Sequence, residues 1–180
     1  MRPFLSANGW RTLVAAFLVF FLDQASKTWV LGFPESEAPA QAFSFFGNSL
    51  SIVPMKNEAF AFGLLASWPS SAQSAVLFGA ALLCFVVAMA FFRSLGEGES
   101  ANSLALGLLL GGCAGNLADW VARGGFIEIA HFRAFHASTS WNFNIADVCI
   151  GAAVAVLLAE LLVAEGASRA EQRSFTDNNG

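Results

Sequence analysis

The sequence predicts an all-α polytopic membrane protein with four transmembrane helices and a small extracytoplasmic β element. Of its 180 residues, 56% are hydrophobic and 12% are charged, whereas a soluble domain carries about 25% charged residues. The mean hydropathy is +0.60, and four segments are long and apolar enough to cross a hydrocarbon layer of about 30 Å as helices. We therefore expect a single membrane-embedded domain over residues 1–164.

The first predicted span, residues 10–33, is interrupted by two charged residues. Asp23 and Lys27 are four positions apart, so they lie on one face of a helix and can pair there. Arg2 and the apolar run 13–22 could instead be the first two regions of a signal peptide. Because the chain stays apolar and aromatic beyond any cleavage point, a transmembrane helix is favoured.

The segment between the first two spans, residues 34–70, is too long for a tight turn. Gly47 and Asn48 separate two short runs with strand character, as in a β-hairpin. Near the predicted helix ends on this side stand Trp29, Trp68, Trp120 and Trp141. Such tryptophans are typical of an aromatic belt at a membrane surface, so we expect the hairpin to lie on that surface.

The other predicted spans cover residues 71–92, 103–119 and 145–164. Four spans place both termini on one side of the membrane, and the distribution of Lys and Arg favours the cytoplasmic side. The polar tail, residues 165–180, is expected to be disordered.

Net charge and cysteine spacing narrow the range of partners. The net charge is -4 and no long Lys/Arg cluster occurs, so nucleic acid is not an expected partner. Cys84, Cys113 and Cys149 are far apart and lie in apolar runs. They indicate neither a disulfide framework nor a CxxC metal site, and we expect small buried apolar residues.

Two predicted helices carry a stripe of small residues that begins or ends at an aspartate. The stripes are Gly107, Gly111, Gly115 and Asp119 in the third span, and Asp147, Gly151, Ala155 and Ala159 in the fourth. Residues spaced by four share nearly one face, and small residues there let another helix come close. Because the two spans run in opposite directions, we expect both aspartates at the same membrane face, near each other.

A third acid, Glu128, follows Gly124 and Gly125 in the connection between these spans. The glycines can turn the chain back towards the membrane. Two carboxyl groups held close together at low dielectric do not both ionise easily and can share a proton around a water molecule. One then acts as a general base on water while the other protonates the carbonyl or the leaving amine.

Five motifs, in order along the chain, resemble those of the lipoprotein signal peptidases, also called signal peptidase II. They are DQASK (23–27), KNEAFAFG (56–63), GGCAGNLADW (111–120), GGFIE (124–128) and FNIAD (143–147). The resemblance covers nearly the whole chain from the first span to the fourth. It implies a bacterial inner-membrane aspartic peptidase that cuts prolipoproteins just before a diacylglyceryl-modified cysteine.

By this resemblance the catalytic pair is Glu128 and Asp147, which activate water and shuttle the proton without a metal or organic cofactor. Asp119 matches the family's supporting aspartate, with Asn116 one helical turn before it. The other predicted site residues are Asn57, Asn144, Asp23 and Lys27. The two amides are expected around the substrate peptide and the catalytic pair, and the Asp23–Lys27 pair is expected to be structural or to contact substrate.

The chain departs from the family pattern at four positions. The family has aspartate at the position of Glu128, usually arginine at that of Trp120, and usually glycine and alanine at those of Ala59 and Phe60. The extra methylene of glutamate moves the carboxylate by about 1.3 Å on a fixed backbone, and a displacement of about 1 Å can cost on the order of 10²-fold in rate. Arg123 is the candidate replacement for the missing arginine.

Three other interpretations remain open. A metalloprotease would use Glu128, His131 and His136, with or without Asp147, but their spacing does not match HExxH. A proton-coupled transporter would use the intramembrane acids as a relay, but these cluster at one face and no paired broken helices occur. An inactive paralogue would bind lipidated peptides without cutting them.

We expect prolipoproteins and membrane lipids as partners, and we expect the protein to be a monomer.

Overall fold

The computed structural model describes residues 6–32, 43–46, 49–57, 67–96, 98–133 and 140–178. These residues form α1 (Ala7–Leu31), β1 (Phe43–Phe45), β2 (Leu50–Asn57), α2 (Ser70–Ser94), α3 (Ser100–Arg123), β3 (Phe126–Arg133), β4 (Ser140–Phe143) and α4 (Ile145–Asn178). Each of the four helices is long and apolar enough to cross a membrane. The predicted fold class, a polytopic membrane protein with four spanning helices and a small β element, is confirmed.

Local hydrogen bonds set the ends of two helices. α1 begins three residues before the predicted span because the side chain of Ser6 accepts a hydrogen bond from the backbone N–H of Gly9, as a helix N-cap does. α3 ends where Gly124 adopts a left-handed conformation with φ of 69° and donates its N–H to Trp120 O. As predicted, a glycine turns the chain out of this helix.

The strands form one antiparallel sheet in the order β1, β2, β3, β4. The predicted hairpin is confirmed by the pairing of Phe45 with Leu50, although Gly47 and Asn48 lie outside the described residues. The sequence did not predict a strand in the connection after α3, but residues 126–133 form one, which lies between β2 and β4. The segment pairs with both neighbouring strands, and this pairing satisfies its backbone N–H and C=O groups. The sequence of so short a segment did not reveal these partners.

The sheet has an apolar face. Directly paired residues project to the same side, and one row across all four strands is Phe45, Leu50, Phe132 and Trp141. The rings of Phe132 and Trp141 stack with centroids 6.0 Å apart. The adjacent row is polar and includes His131, whose Nδ1 lies 2.7 Å from Asn142 Oδ1. Such a two-faced sheet suits a membrane surface.

The glycine stripe of α3 packs directly against α1. A Cβ atom built on Gly107 would lie 2.5 Å from the Cβ of Ala15, and one built on Gly111 would lie 2.5 Å from the carbonyl oxygen of Ala16. Real side chains do not approach this closely, so these positions require glycine. The predicted close approach of another helix is confirmed, and α1 is the helix that makes it.

The corresponding stripe of α4 does not serve this purpose. A Cβ atom added at Gly151 would meet no atom within 4 Å, and the small residues that follow it in the stripe are exposed. α4 packs instead through Ala146 and Ile150, which lie against Gly112 of α3. Because an α-helix has 3.6 residues per turn, residues spaced by exactly four do not stay on one face. The face of α4 that packs against α3 therefore departs from the predicted stripe.

The end of α4 also differs from the prediction of a disordered tail over residues 165–180. The helix continues to Asn178, and Arg169 pairs with Glu165 one turn earlier at 2.5 Å. Its exposed residues include many Ala, Glu, Arg and Gln, which have high helix propensity. This part of α4 is therefore a solvent-facing helix that adds little to the core.

Polar contacts join α1 and α3 at the end away from the sheet. Thr12 Oγ1 donates to Ser103 O at 2.9 Å, and Ser103 Oγ donates to Asn8 O at 2.7 Å. Asn8 Nδ2 donates to Gly96 O at 2.8 Å. Thr12 and Ser103 are buried, so these bonds hold α1 beside α3 at this end of their contact.

Candidate active site

A buried ionic cluster lies where α1 and α3 approach the sheet. Asp23, Lys27 and Asp119 are fully buried. The ammonium nitrogen of Lys27 lies 2.7 Å from Asp23 Oδ2, 2.6 Å from Asp119 Oδ2 and 3.3 Å from Asn116 Oδ1. Its three N–H donors thus have three acceptors, which is the condition under which a charge can be buried.

Arg123 supplies the second cation of this cluster. Its Nη1 lies 2.5 Å from Asp119 Oδ1 and 3.0 Å from Gln24 Oε1. The amide nitrogen of Gln24 also lies 3.1 Å from Asp119 Oδ1 and from Gly115 O. With Arg123 the cluster holds two carboxylates and two cations, so its charges cancel. Arg123 therefore provides the positive charge that is missing because the chain has Trp120 where the family usually has arginine.

Trp120 points to other elements. Its indole Nε1 donates to Ser74 Oγ of α2 at 2.9 Å, and its ring lies 5.3 Å from that of Phe126, centroid to centroid. Trp120 thus joins α3 to α2 and to the start of β3.

The residue before Glu128 is held from both sides. Asp119 Oδ2 accepts a hydrogen bond from the backbone N–H of Ile127 at 3.3 Å, and Asn144 Nδ2 donates to the carbonyl of Ile127 at 3.2 Å. Glu128 is the next residue of β3 and is itself buried. Asp119 and Asn144 therefore determine where the backbone that carries Glu128 lies relative to α4.

An irregularity in β2 lies directly beside Glu128. Ile52 pairs with Ala130 and Met55 pairs with Glu128, so two residues of β2 oppose one residue of β3. This is a β-bulge, a feature that redirects side chains and often occurs next to active sites. The backbone at Glu128 therefore departs from a regular ladder.

The FNIAD motif forms a capping box at the start of α4. Asn144 Oδ1 accepts from the backbone N–H of Asp147 at 2.8 Å, and Asp147 Oδ2 accepts from the N–H of Asn144 at 3.1 Å. Asp23 Oδ1 accepts from the N–H of Ala146 at 3.0 Å. These bonds satisfy the free N–H groups of the first helical turn, where a carboxylate is also favoured by the helix dipole.

Asn116 connects the ionic cluster to Asp147. Its Oδ1 accepts from Lys27 Nζ and, at 3.0 Å, from Asn144 Nδ2, while its Nδ2 donates to Asp147 Oδ1 at 2.8 Å. Asp119 and Asp147 lie at the same end of the bundle, as predicted, and are linked through Lys27 and Asn116. The Asp147 residue is exposed, unlike the buried acids.

The structure brings most predicted site residues into one hydrogen-bonded network: Asp23, Lys27, Asn116, Asp119, Asn144 and Asp147. Asn57 is the last residue of β2 and pairs with Phe126, but its side chain is not among those that the structure describes. Ala59, Phe60 and His136 lie outside the described residues. Sequence reasoning missed Gln24, although it lies inside the DQASK motif. Among the described residues, no group of three or more His, Cys, Asp or Glu is placed to hold a metal ion.

Comparison with known proteins identifies the family. A family model described as signal peptidase (SPase) II matches residues 15–163. The chain belongs to this family. The resemblance inferred from the five motifs is thereby confirmed, and with its four apolar helices this signal peptidase II is a multi-pass membrane peptidase.

Individual relatives agree with the family assignment. The lipoprotein signal peptidase of Beijerinckia indica is 32% identical over 158 residues, covering 86% of this chain and 89% of that protein. That of Rhodopseudomonas palustris is 31% identical over 163 residues, covering 88% and 95%. A solved structure described as a bacterial membrane enzyme has the same fold, with a TM-score of 0.69 over 84% of this chain and 92% of that chain at 22% identity.

Proposed function

We propose that this signal peptidase II is an intramembrane aspartic endopeptidase that removes signal peptides from prolipoproteins. The bond that it hydrolyses precedes a diacylglyceryl-modified cysteine. Glu128 and Asp147 are the proposed catalytic pair, and the protein acts as a monomer in the bacterial inner membrane with cytoplasmic termini. The catalytic pair and the sheet then lie on the outer side.

The observation that carries this proposal is the difference between Asp147 and the buried aspartates. Asp23 and Asp119 are neutralised by Lys27 and Arg123. The hydrogen bonds to the Asp147 carboxylate come instead from neutral donors, the side-chain amide of Asn116 and a backbone N–H. A carboxylate that is fixed in place but not matched by a cation can take and release a proton, as a general base must.

The proposed reaction uses one proton shared between Glu128 and Asp147. The ionised carboxylate removes a proton from a water molecule, and the water attacks the carbonyl carbon of the scissile bond. The protonated partner donates to the carbonyl oxygen and then to the leaving amine. Asn116, Asn144 and Asp119 support the pair by fixing α4 and β3, and Asn57 is proposed to contact the substrate peptide.

The deciding experiment is cleavage of a diacylglyceryl-modified prolipoprotein by the purified full-length protein in liposomes. Wild type is expected to cut, while Glu128→Gln and Asp147→Asn are expected to be inactive because neither amide can act as acid or base. Glu160→Gln changes an exposed acid of α4 and serves as the matched control. The same precursor without lipid tests whether the diacylglyceryl group is required.

A Glu128→Asp variant separates the peptidase from an inactive paralogue. If wild type does not cut but Glu128→Asp does, the chain is a paralogue that binds lipidated peptides, and the proposal fails. If both cut, their rate ratio measures the effect of the extra methylene, which is expected to stay below the roughly 10²-fold cost of a misplaced group because the β-bulge accompanies Glu128.

A further inference from the structure

Two cysteines that play no part in the proposed site face each other between α2 and α3. The sulfur atoms of Cys84 and Cys113 lie 3.3 Å apart, and both residues are partly buried. They are separated by 28 intervening positions along the chain. Their spacing therefore gives no sign of a pair, and only the packing of the two helices brings the thiols together.

Contacts on either side hold this pair in register. Near the sheet, Trp120 of α3 donates to Ser74 of α2. Towards the other end, Ala88 of α2 and Leu106 of α3 belong to one buried apolar cluster. The cysteine pair lies between these two attachments, so the approach of α2 to α3 is fixed on both sides of the two thiols.

We propose that Cys84 and Cys113 are an oxidisable dithiol that forms a disulfide between α2 and α3. Two S–H bonds break and one S–S bond forms, and the two protons and two electrons reduce a quinone to its quinol. A quinone is the fitting class of oxidant because both thiols lie within apolar spans, which an oxidant must reach through the bilayer. A disulfide bond is about 2.05 Å long, so the sulfurs approach each other by about 1.2 Å from their present separation.

The test uses the full-length protein in liposomes with and without a short-chain benzoquinone. After unfolding in detergent, each free thiol is labelled with a polyethylene-glycol maleimide and the labels are counted by gel mobility. The chain has three cysteines, so three labels are expected before oxidation and one, on Cys149, afterwards. The oxidised chain should lose the mass of two hydrogen atoms, remain a monomer without reductant and regain three labels with it.

Single variants assign the bond. Cys149→Ser is expected to take two labels before oxidation and none afterwards, whereas Cys84→Ser and Cys113→Ser should each keep both remaining labels. The melting temperature of the oxidised wild type should exceed that of the reduced protein, because the cross-link restricts the unfolded chain, and Cys84→Ser should show no such rise. The proposal is overturned if wild type keeps three labels, if Cys149 is the thiol lost, or if the disulfide joins two chains.

Discussion

The charged side chains of the site fall into two groups according to what surrounds them. Lys27 lies between two buried carboxylates and has no exposed surface. Arg123 also pairs with Asp119, but a quarter of its side chain is exposed. Loss of a buried charge leaves its partners unmatched in a medium of low dielectric, whereas water compensates a partly exposed one.

Lys27→Met is therefore expected to destabilise the protein more than Arg123→Gln. Breaking a fully buried ion pair costs about 3–5 kcal/mol, and the loss at Arg123 is expected to be smaller because water reaches a quarter of its side chain and Asp119 keeps its pair with Lys27. Unfolding of the purified variants in detergent, followed by heat or denaturant, measures both free energies. Equal losses would show that the cluster is more hydrated than its buried contacts indicate.

The pH dependence of cleavage tests the shared proton. In the proposed mechanism Glu128 and Asp147 must share one proton, so the reaction lacks a base when both carboxyl groups are protonated and lacks an acid when both are ionised. The rate is expected to pass through a maximum between these limits, and a chelator is expected to leave it unchanged. A rate that rises to a plateau, or strong inhibition by chelator, would contradict the mechanism. The exposed-site control Glu160→Gln should keep the wild-type profile.

At the level of elements, α3 is the central helix and its glycines determine how the others dock. One glycine face accepts α1, and Gly112 accepts α4 beside the capping box. The same docking lets Asp23 of α1 reach the N–H of Ala146 in α4. The contacts that pack α1 and α4 against α3 therefore also bring the residues of the site together.

A matched pair of glycine variants tests this role. Gly111→Ala would place a methyl group against the backbone of α1, whereas Gly151→Ala would place one in open space. Overpacking typically costs about 1–3 kcal/mol, while alanine in an open helical position is favoured over glycine by about 0.5–1 kcal/mol. The unfolding free energy and the cleavage rate should both fall for Gly111→Ala, whereas Gly151→Ala should keep the cleavage rate and slightly raise the unfolding free energy. Similar behaviour of the two variants would argue against close packing of α1 on α3.

At the level of the whole molecule, one hydrogen-bonded unit joins α1 and α3 to the sheet. α1 and α3 are tied at one end by Thr12 and Ser103, and at the other by the ionic cluster. Asp119 and Asn144 then extend this unit to β3 through Ile127. The exposed end of α4 stands outside it.

Removal of residues 165–180 is therefore expected to leave folding and cleavage intact. The described side chains of this part of α4 are exposed, and substitutions at such surfaces typically change stability by no more than about 0.5 kcal/mol. The truncated protein should match the full chain in unfolding free energy and in cleavage of lipidated precursor. A large loss of either would assign the tail a role in the core or in substrate binding.

The sequence by itself determined the number of spans, the family and the candidate acids. Spanning a bilayer requires about 20 apolar residues, a local property that composition reveals. The motifs likewise consist of residues close together along the chain, so DQASK and FNIAD could be recognised before their contacts were known. The change of chain direction at Gly124 was predicted for the same reason.

Contacts between distant segments were decided by the tertiary structure. The sequence did not show that α1 is the helix packed on the glycines of α3, that the α4 stripe is open, that β3 is a strand, or that Cys84 meets Cys113. These outcomes depend on how each helix is rotated about its axis and on which strands pair. Packing of the whole chain selects both, because burial and hydrogen bonding are satisfied between segments and not within them.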